Sequence, residues 1–157
     1  MSARIAVSSP FRSAVLALAV LSWPGLAAAQ APSLYARLGG LAPISVVVSD
    51  FIDALVPDSA LNTNPAIAAA RKRVPAEYLK FHVTALVCQT TGGPCTYVGR
   101  DMKSSHVHLN ISESNWQRME TIFKQVLAKH RVPAAEQQEL LAIVATTKAD
   151  IVTQPTR

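Results

Sequence analysis

Apolar residues in this chain return every three or four positions, and no run alternates for long enough to make a strand. That period selects amphipathic helices packed face to face, and so an all-α domain. Four segments carry it. The first starts near Pro43, a residue suited to a first helical turn, and places Ile44, Val47, Val48, Phe51 and Leu55 on one face before Pro57 ends it. A loop over Leu61–Pro65 and a short helical piece around Ile67–Arg73 follow. The second segment runs from Pro75 to about Thr90, with Leu79, Val83, Leu86, Val87 and Thr90 turned inward, and Gly92-Gly93 terminates it. The third runs from Ser112, a good N-cap, to about His130, burying Trp116, Met119, Ile122, Phe123, Val126 and Leu127. The fourth begins at Pro133 and ends near Thr153, burying Leu140, Leu141, Val144, Ile151 and Val152.

Ahead of these helices stands a leader. Arg4 and Arg12 precede the apolar run Ala14–Leu21, Trp23-Pro24-Gly25 breaks it, and Ala27-Ala28-Ala29 supplies a small-residue cleavage pattern. Eight apolar residues span only about 12 Å as helix, too short for a bilayer. Residues 1–29 therefore read as a signal peptide cut before Gln30, and residues 30–157 as one exported domain, expected in a periplasm. Nothing after Gln30 approaches a membrane-spanning run. Loss of the two leader arginines lowers the formal charge of +5. The basic pI near 9.6 is then a mild surface bias, and no Lys/Arg run with interleaved aromatics suggests a nucleic-acid partner.

The two cysteines, Cys88 and Cys95, flank Gly92-Gly93-Pro94. In an exported chain they either close a disulfide or remain one buried and one exposed thiol. Their spacing is too wide for a Cys-x-x-Cys redox or metal clip.

The chemistry concentrates in the connector Gly92–Ile111, long for a loop without a task. Phosphate-binding glycine loops, dinucleotide fingerprints, serine nucleophile elbows and zinc-protease His pairs are missing. No general acid–base pair is visible, so no turnover reaction is assigned. Histidine remains. His82 lies at the edge of the second inward stripe, between Leu79 and Leu86. His106 follows Met102 by one helical turn, with His108 just beyond, and His130 reads as a solvated residue ending the third helix. Taken alone, each is more often structural than a ligand.

Two strings carry a resemblance. Leu34-Tyr35-Ala36-Arg37-Leu38-Gly39-Gly40 is similar to the opening of the truncated haemoglobins. Gly92-Gly93-Pro94-Cys95-Thr96-Tyr97-Val98-Gly99-Arg100-Asp101-Met102-Lys103-Ser104-Ser105-His106 resembles the entry to the haem-ligand helix in group 1 of that family. The likeness covers roughly Ser33–Val152. It implies a two-over-two helical sandwich enclosing haem b, with His106 as the proximal iron ligand. It further implies that Phe51, Leu79, Val83, Leu86, Tyr97, Met102, Ile111 and Trp116 line the haem.

On the distal side the chain departs from the family. Ile52 replaces the usual ligand-stabilising Tyr, and Val83 replaces the Gln that assists it. His82 falls one position earlier, where some members carry a His that binds iron and others a Lys that reaches a propionate. Both roles stay open for His82. The resemblance implies reversible binding of a diatomic gas (oxygen, nitric oxide or carbon monoxide). The alternatives are a bis-histidyl, low-spin electron-transfer or peroxide-reactive haem protein with its own redox partner, and a helical interaction module that has lost haem.

Overall fold

The computed structural model describes residues 31–154, so the signal-peptide expectation lies outside the described residues. Ser33 opens helix α1 (Leu34–Arg37) by accepting the Ala36 amide on its hydroxyl. Gly40 leads into α2 (Leu41–Leu55), which starts two residues before Pro43. Proline is tolerated there because the first-turn amides have no helical partner to lose. The expected loop after it contains α3 (Ser59–Asn62), started by the Asp58 carboxylate, which accepts the Leu61 amide. Asn64 and Pro65 then begin α4 (Pro65–Arg71).

Helix α5 (Ala76–Thr90) follows Pro75. Its inward stripe is half-buried rather than buried, and Thr90 is exposed, its hydroxyl donating back to the Leu86 carbonyl. The connector is not bare loop. It holds the single-turn helix α6 (Met102–His106), a 3-10 turn at Val107–Leu109 and Asn110 in the left-handed region at φ 49°. Helix α7 (Glu113–Lys129) opens with a reciprocal cap: Ser112 accepts the Asn115 amide while the Asn115 side chain accepts that of Ser112.

The last expected helix divides. Helix α8 (Ala134–Thr146) stops where the Thr147 hydroxyl turns back to the Val144 carbonyl at 2.7 Å. The chain continues as the short α9 (Lys148–Ile151) and strand β2 (Val152–Gln154). Strand β2 lies parallel to β1 (Ile111–Ser112), pairing Val152 with Ile111. Periodicity did not announce these strands, because two or three residues are too few to show alternation.

Helix α2 packs across α5 and α7, and α7 also meets α8, which is the two-over-two crossing. Three apolar clusters hold it. Ile44, Val48 and Ile52 of α2 meet Leu79, Val83 and Val87 of α5. Leu34, Phe123, Leu127 and Leu140 join α1, α7 and α8. Ile67, Ile111, Trp116 and Ile151 gather behind α6 with Met102. No helix among the described residues is long and apolar enough to cross a membrane.

The Cys88–Cys95 disulfide is formed, with Cα atoms 5.7 Å apart. It ties the last turn of α5 to the connector. Gly92 carries the chain out of α5 at φ +86°, and a Cβ on Gly93 would overlap the Tyr35 ring and the Cys88 sulfur. Tyr35 itself closes this corner: its amide donates to the Thr91 carbonyl, and its hydroxyl accepts the Leu41 amide.

Candidate functional site

His106 ends a helix of one turn, and its ring is held from within that turn. Nδ1 lies 2.7 Å from the Met102 carbonyl oxygen. A carbonyl only accepts, so the proton sits on Nδ1 and the Nε2 lone pair is left for a ligand. The ring is half-buried, and burial lowers its pKa from 6.5, with the Met102 bond opposing. A neutral imidazole with a directed Nε2 is the form that binds a metal. The helix carrying it is started by Asp101, whose carboxylate accepts the Ser104 amide at 2.8 Å. His108, two residues on, is exposed.

His82 sits differently. Its ring lies 4.2 Å, centroid to centroid, from Tyr78, 5.1 Å from Phe81 and 6.1 Å from Tyr97. Its Nδ1 is buried with no hydrogen-bond partner. Tyr97 reaches this group from the connector, where its amide donates to the Gln89 side chain at 2.6 Å and its hydroxyl donates to the Arg100 carbonyl at 2.7 Å. Burial raises the Tyr97 phenol pKa, keeping it protonated as that donor.

The structure thus joins His82 with Tyr97, and separately places Met102 under His106. Leu79 and Val83 are half-buried along α5, and Leu86 is half-buried on the same helix. Phe51 is half-buried against the Phe123 ring, 5.2 Å away. Trp116 and Ile111, at 2% and 8% exposed, have almost no free surface and stand behind Met102 as core. Ile52 is core, 2% exposed between α2 and α5, and offers no donor.

Sequence reasoning missed Tyr78 and Phe81, which are 54% and 64% exposed. Their spacing from His82, four and one positions back, was the available signal for Tyr78 at least. His130 is not freely solvated. It is half-buried, with Nε2 2.7 Å from an Asp50 oxygen that Lys129 also approaches at 2.8 Å. Among the carboxylates, the Asp58 side chain is 8% exposed and accepts from Arg118 at 2.7 Å.

An apolar cavity of about 350 Å³ lies elsewhere, between α1, α2, α7 and α8, and its lining includes neither His82 nor His106. Among the described residues no group of three or more His, Cys, Asp or Glu is placed to hold a bare metal ion. The donor set is one prepared imidazole, with a second histidine on α5. That set fits an iron porphyrin, which brings four ligands of its own and needs one or two from protein.

Four long helices crossing two over two, with a histidine prepared at the end of a one-turn helix, define a two-over-two globin. The chain belongs to the bacterial-like globin family, whose model matches residues 33–153. A group 1 truncated hemoglobin, LI410, of Chlamydomonas moewusii is 23% identical over 125 residues, covering 78% of this chain and 70% of the relative. Among solved structures, the Fe(III) form of truncated hemoglobin from Tetrahymena pyriformis superposes with a TM-score of 0.68 at 19% identity, covering 78% of this chain and 100% of that one. The 2/2 hemoglobin of Synechococcus sp. PCC 7002, solved in the cyanomet state with covalently attached heme, matches at the same TM-score of 0.68, identity of 19% and coverage, 78% and 100%. The two-over-two helical sandwich read from the sequence is the fold observed.

Proposed function

We propose that this globin holds haem b through His106 and binds a diatomic gas reversibly. The observation carrying this reading is the 2.7 Å contact of His106 Nδ1 with the Met102 carbonyl, on a ring kept neutral by burial. His106 would hold the haem iron through Nε2, with Met102 fixing its tautomer, and the iron would supply the gas-binding chemistry. The half-buried apolar residues of α5 exclude water, and neither Ile52 nor Val83 offers a donor to a bound gas. Each missing hydrogen bond to a partly charged acceptor forgoes about 1.5–3 kcal/mol, so oxygen retention rests on other contacts. The exported location belongs to the same proposal, supported by the leader and by a disulfide suited to an oxidising compartment.

The test is titration of purified protein with haemin. A Soret band shifted from free haemin at one equivalent is expected, and an unshifted band ends the reading.

A second reading has its own observation. The unanswered, buried Nδ1 of His82 marks a histidine whose surroundings lack its usual partner. Were His82 to hold the iron as well, the chain would be a low-spin electron-transfer or peroxide-reactive haem protein. The ferrous spectrum without added gas separates the two. Sharp low-spin bands that disappear in His82→Ala support this second role, and bands that survive the substitution exclude it.

A further inference from the structure

The C-terminal strap of α9 and β2 packs, through α9, against α6, the element that carries His106. Helix α6 has five residues, too few to hold its own geometry, since a single turn is disfavoured unless packing supports it. Its support comes from behind. Ile151, 9% exposed, sits in one cluster with Trp116, Ile111 and Ile67, and Met102 of α6 packs on that cluster. Val152 pairs with Ile111 in the parallel ladder, and Gln154 pairs with Ser112.

A second contact anchors the strap at its start. Lys148 Nζ lies 2.7 Å from Glu113 Oε1 and 5.9 Å from the centre of the Trp116 ring. The helix is interrupted at Thr147, and the chain beyond it, α9, packs on α6. Met102 then links the strap to the site: its side chain meets the cluster and its carbonyl holds His106 Nδ1.

We propose that the strap 148–154 positions the His106 imidazole, with Ile151 as the positioning residue acting through Met102. The inference rests on the reading of His106 as the axial ligand. It adds that the direction of Nε2 is set by the end of the chain as well as by the local turn.

The experiment uses the full chain and compares Ile151→Ala with Leu140→Ala, a buried leucine of the α1–α7–α8 cluster that does not touch α6. In haem-free protein, amide exchange at Ser104, Ser105 and His106 should quicken about tenfold or more in Ile151→Ala and stay near wild type in Leu140→Ala. In haem-loaded protein, Ile151→Ala should release haem to apomyoglobin at least several-fold faster and shift the iron–histidine stretching band of the ferrous form. Leu140→Ala should lower the melting temperature without moving that band. Ile151→Val, which removes one methylene, should show the same trends at smaller size and serves if the alanine variant does not fold.

Equal effects of the Ile151 and Leu140 variants on exchange and on the band would overturn the proposal, since the strap would then act only on global stability. Failure of the underlying reading looks different. His106→Ala would then hold haem as tightly as wild type, whatever the strap variants do to exchange.

Discussion

The two candidate histidines stand in opposite kinds of surroundings. His106 has its Nδ1 answered at 2.7 Å by the carbonyl one turn back, and its short helix is backed by an apolar cluster. His82, in the middle of a long helix, has a buried Nδ1 with no partner and is held by tilted and edge-on ring contacts, two of them from exposed residues. A hydrogen bond fixes a tautomer and a direction, whereas ring–ring contact alone fixes neither nitrogen's partner. The His106 side is therefore ordered by the protein alone. The α5 side is adjustable, which suits a residue that competes with a gas or swings to a propionate.

The largest expected effect breaks the pair apart. His106→Ala should abolish stable haem uptake, while His82→Ala should retain a one-to-one haem complex, both followed by Soret titration. If the two substitutions weaken uptake equally, the histidines share the load and the asymmetry is wrong.

Next in size is the covalent tie between the two sides. Replacing Cys88 and Cys95 together by Ala removes a short-loop disulfide worth about 2 kcal/mol on the chain-entropy model. Urea unfolding of the haem-free protein should show that loss. Because the bond anchors the connector that presents Tyr97 to His82, the double variant should also disturb the α5 side more than α6. Ring resonances of His82 should shift further than those of His106. A larger shift at His106 would contradict the asymmetry.

A smaller pair of substitutions tests the two nitrogens directly. His82→Phe keeps a ring among Tyr78, Phe81 and Tyr97 but removes the unanswered Nδ1, and should raise haem-free stability by about 1 kcal/mol. His106→Phe removes a bonded donor, takes the side-chain partner from the Met102 carbonyl, and should lower stability by about the same amount. The two changes in urea midpoint must have opposite signs for the comparison to stand.

What the sequence made legible follows from the same distinction between local and distant causes. The four long helical segments were readable because a sustained period of apolar residues belongs to each segment alone, and Ser112 was readable because capping is local too. The resemblance singled out His106, since neither composition nor spacing separates it from His108. Helix α3 went unread although its cause, the Asp58 side chain on the Leu61 amide, is local; four residues are too few to show a period. The break at Thr147 and the β1–β2 ladder were out of reach for another reason. The apolar positions continue through Val152, and only the pairing of Val152 with Ile111 reveals that the chain has left the helix to lie beside β1. The His82 group is similar: Tyr78 lies one turn away, but Tyr97 arrives from a connector placed by a disulfide and the Gln89 side chain.

The smallest expected effect lies away from both histidines and serves as their control. Asp58 accepts the Leu61 amide at 2.9 Å and the Arg118 guanidinium at 2.7 and 3.1 Å, joining α3 to α7. The bond from Arg118, aided by the Leu61 amide and the nearby positive charges, holds the carboxyl pKa below 3.8 against the opposing effect of burial. A carboxylate with a depressed folded pKa stabilises the fold in full above its unfolded value. That contribution is lost as pH falls below about 4 and through the folded pKa. Asp58→Asn keeps an oxygen for the cap but not the charge. Its melting temperature should fall short of wild type by a constant margin from pH 7 down to about 5, and the margin should close below pH 4. Haem uptake at pH 7 should be unchanged, because this ion pair supports neither the Met102 bond nor the rings around His82. A margin that stays constant through the acid range would show that Arg118 contributes nothing through the ionised form of Asp58.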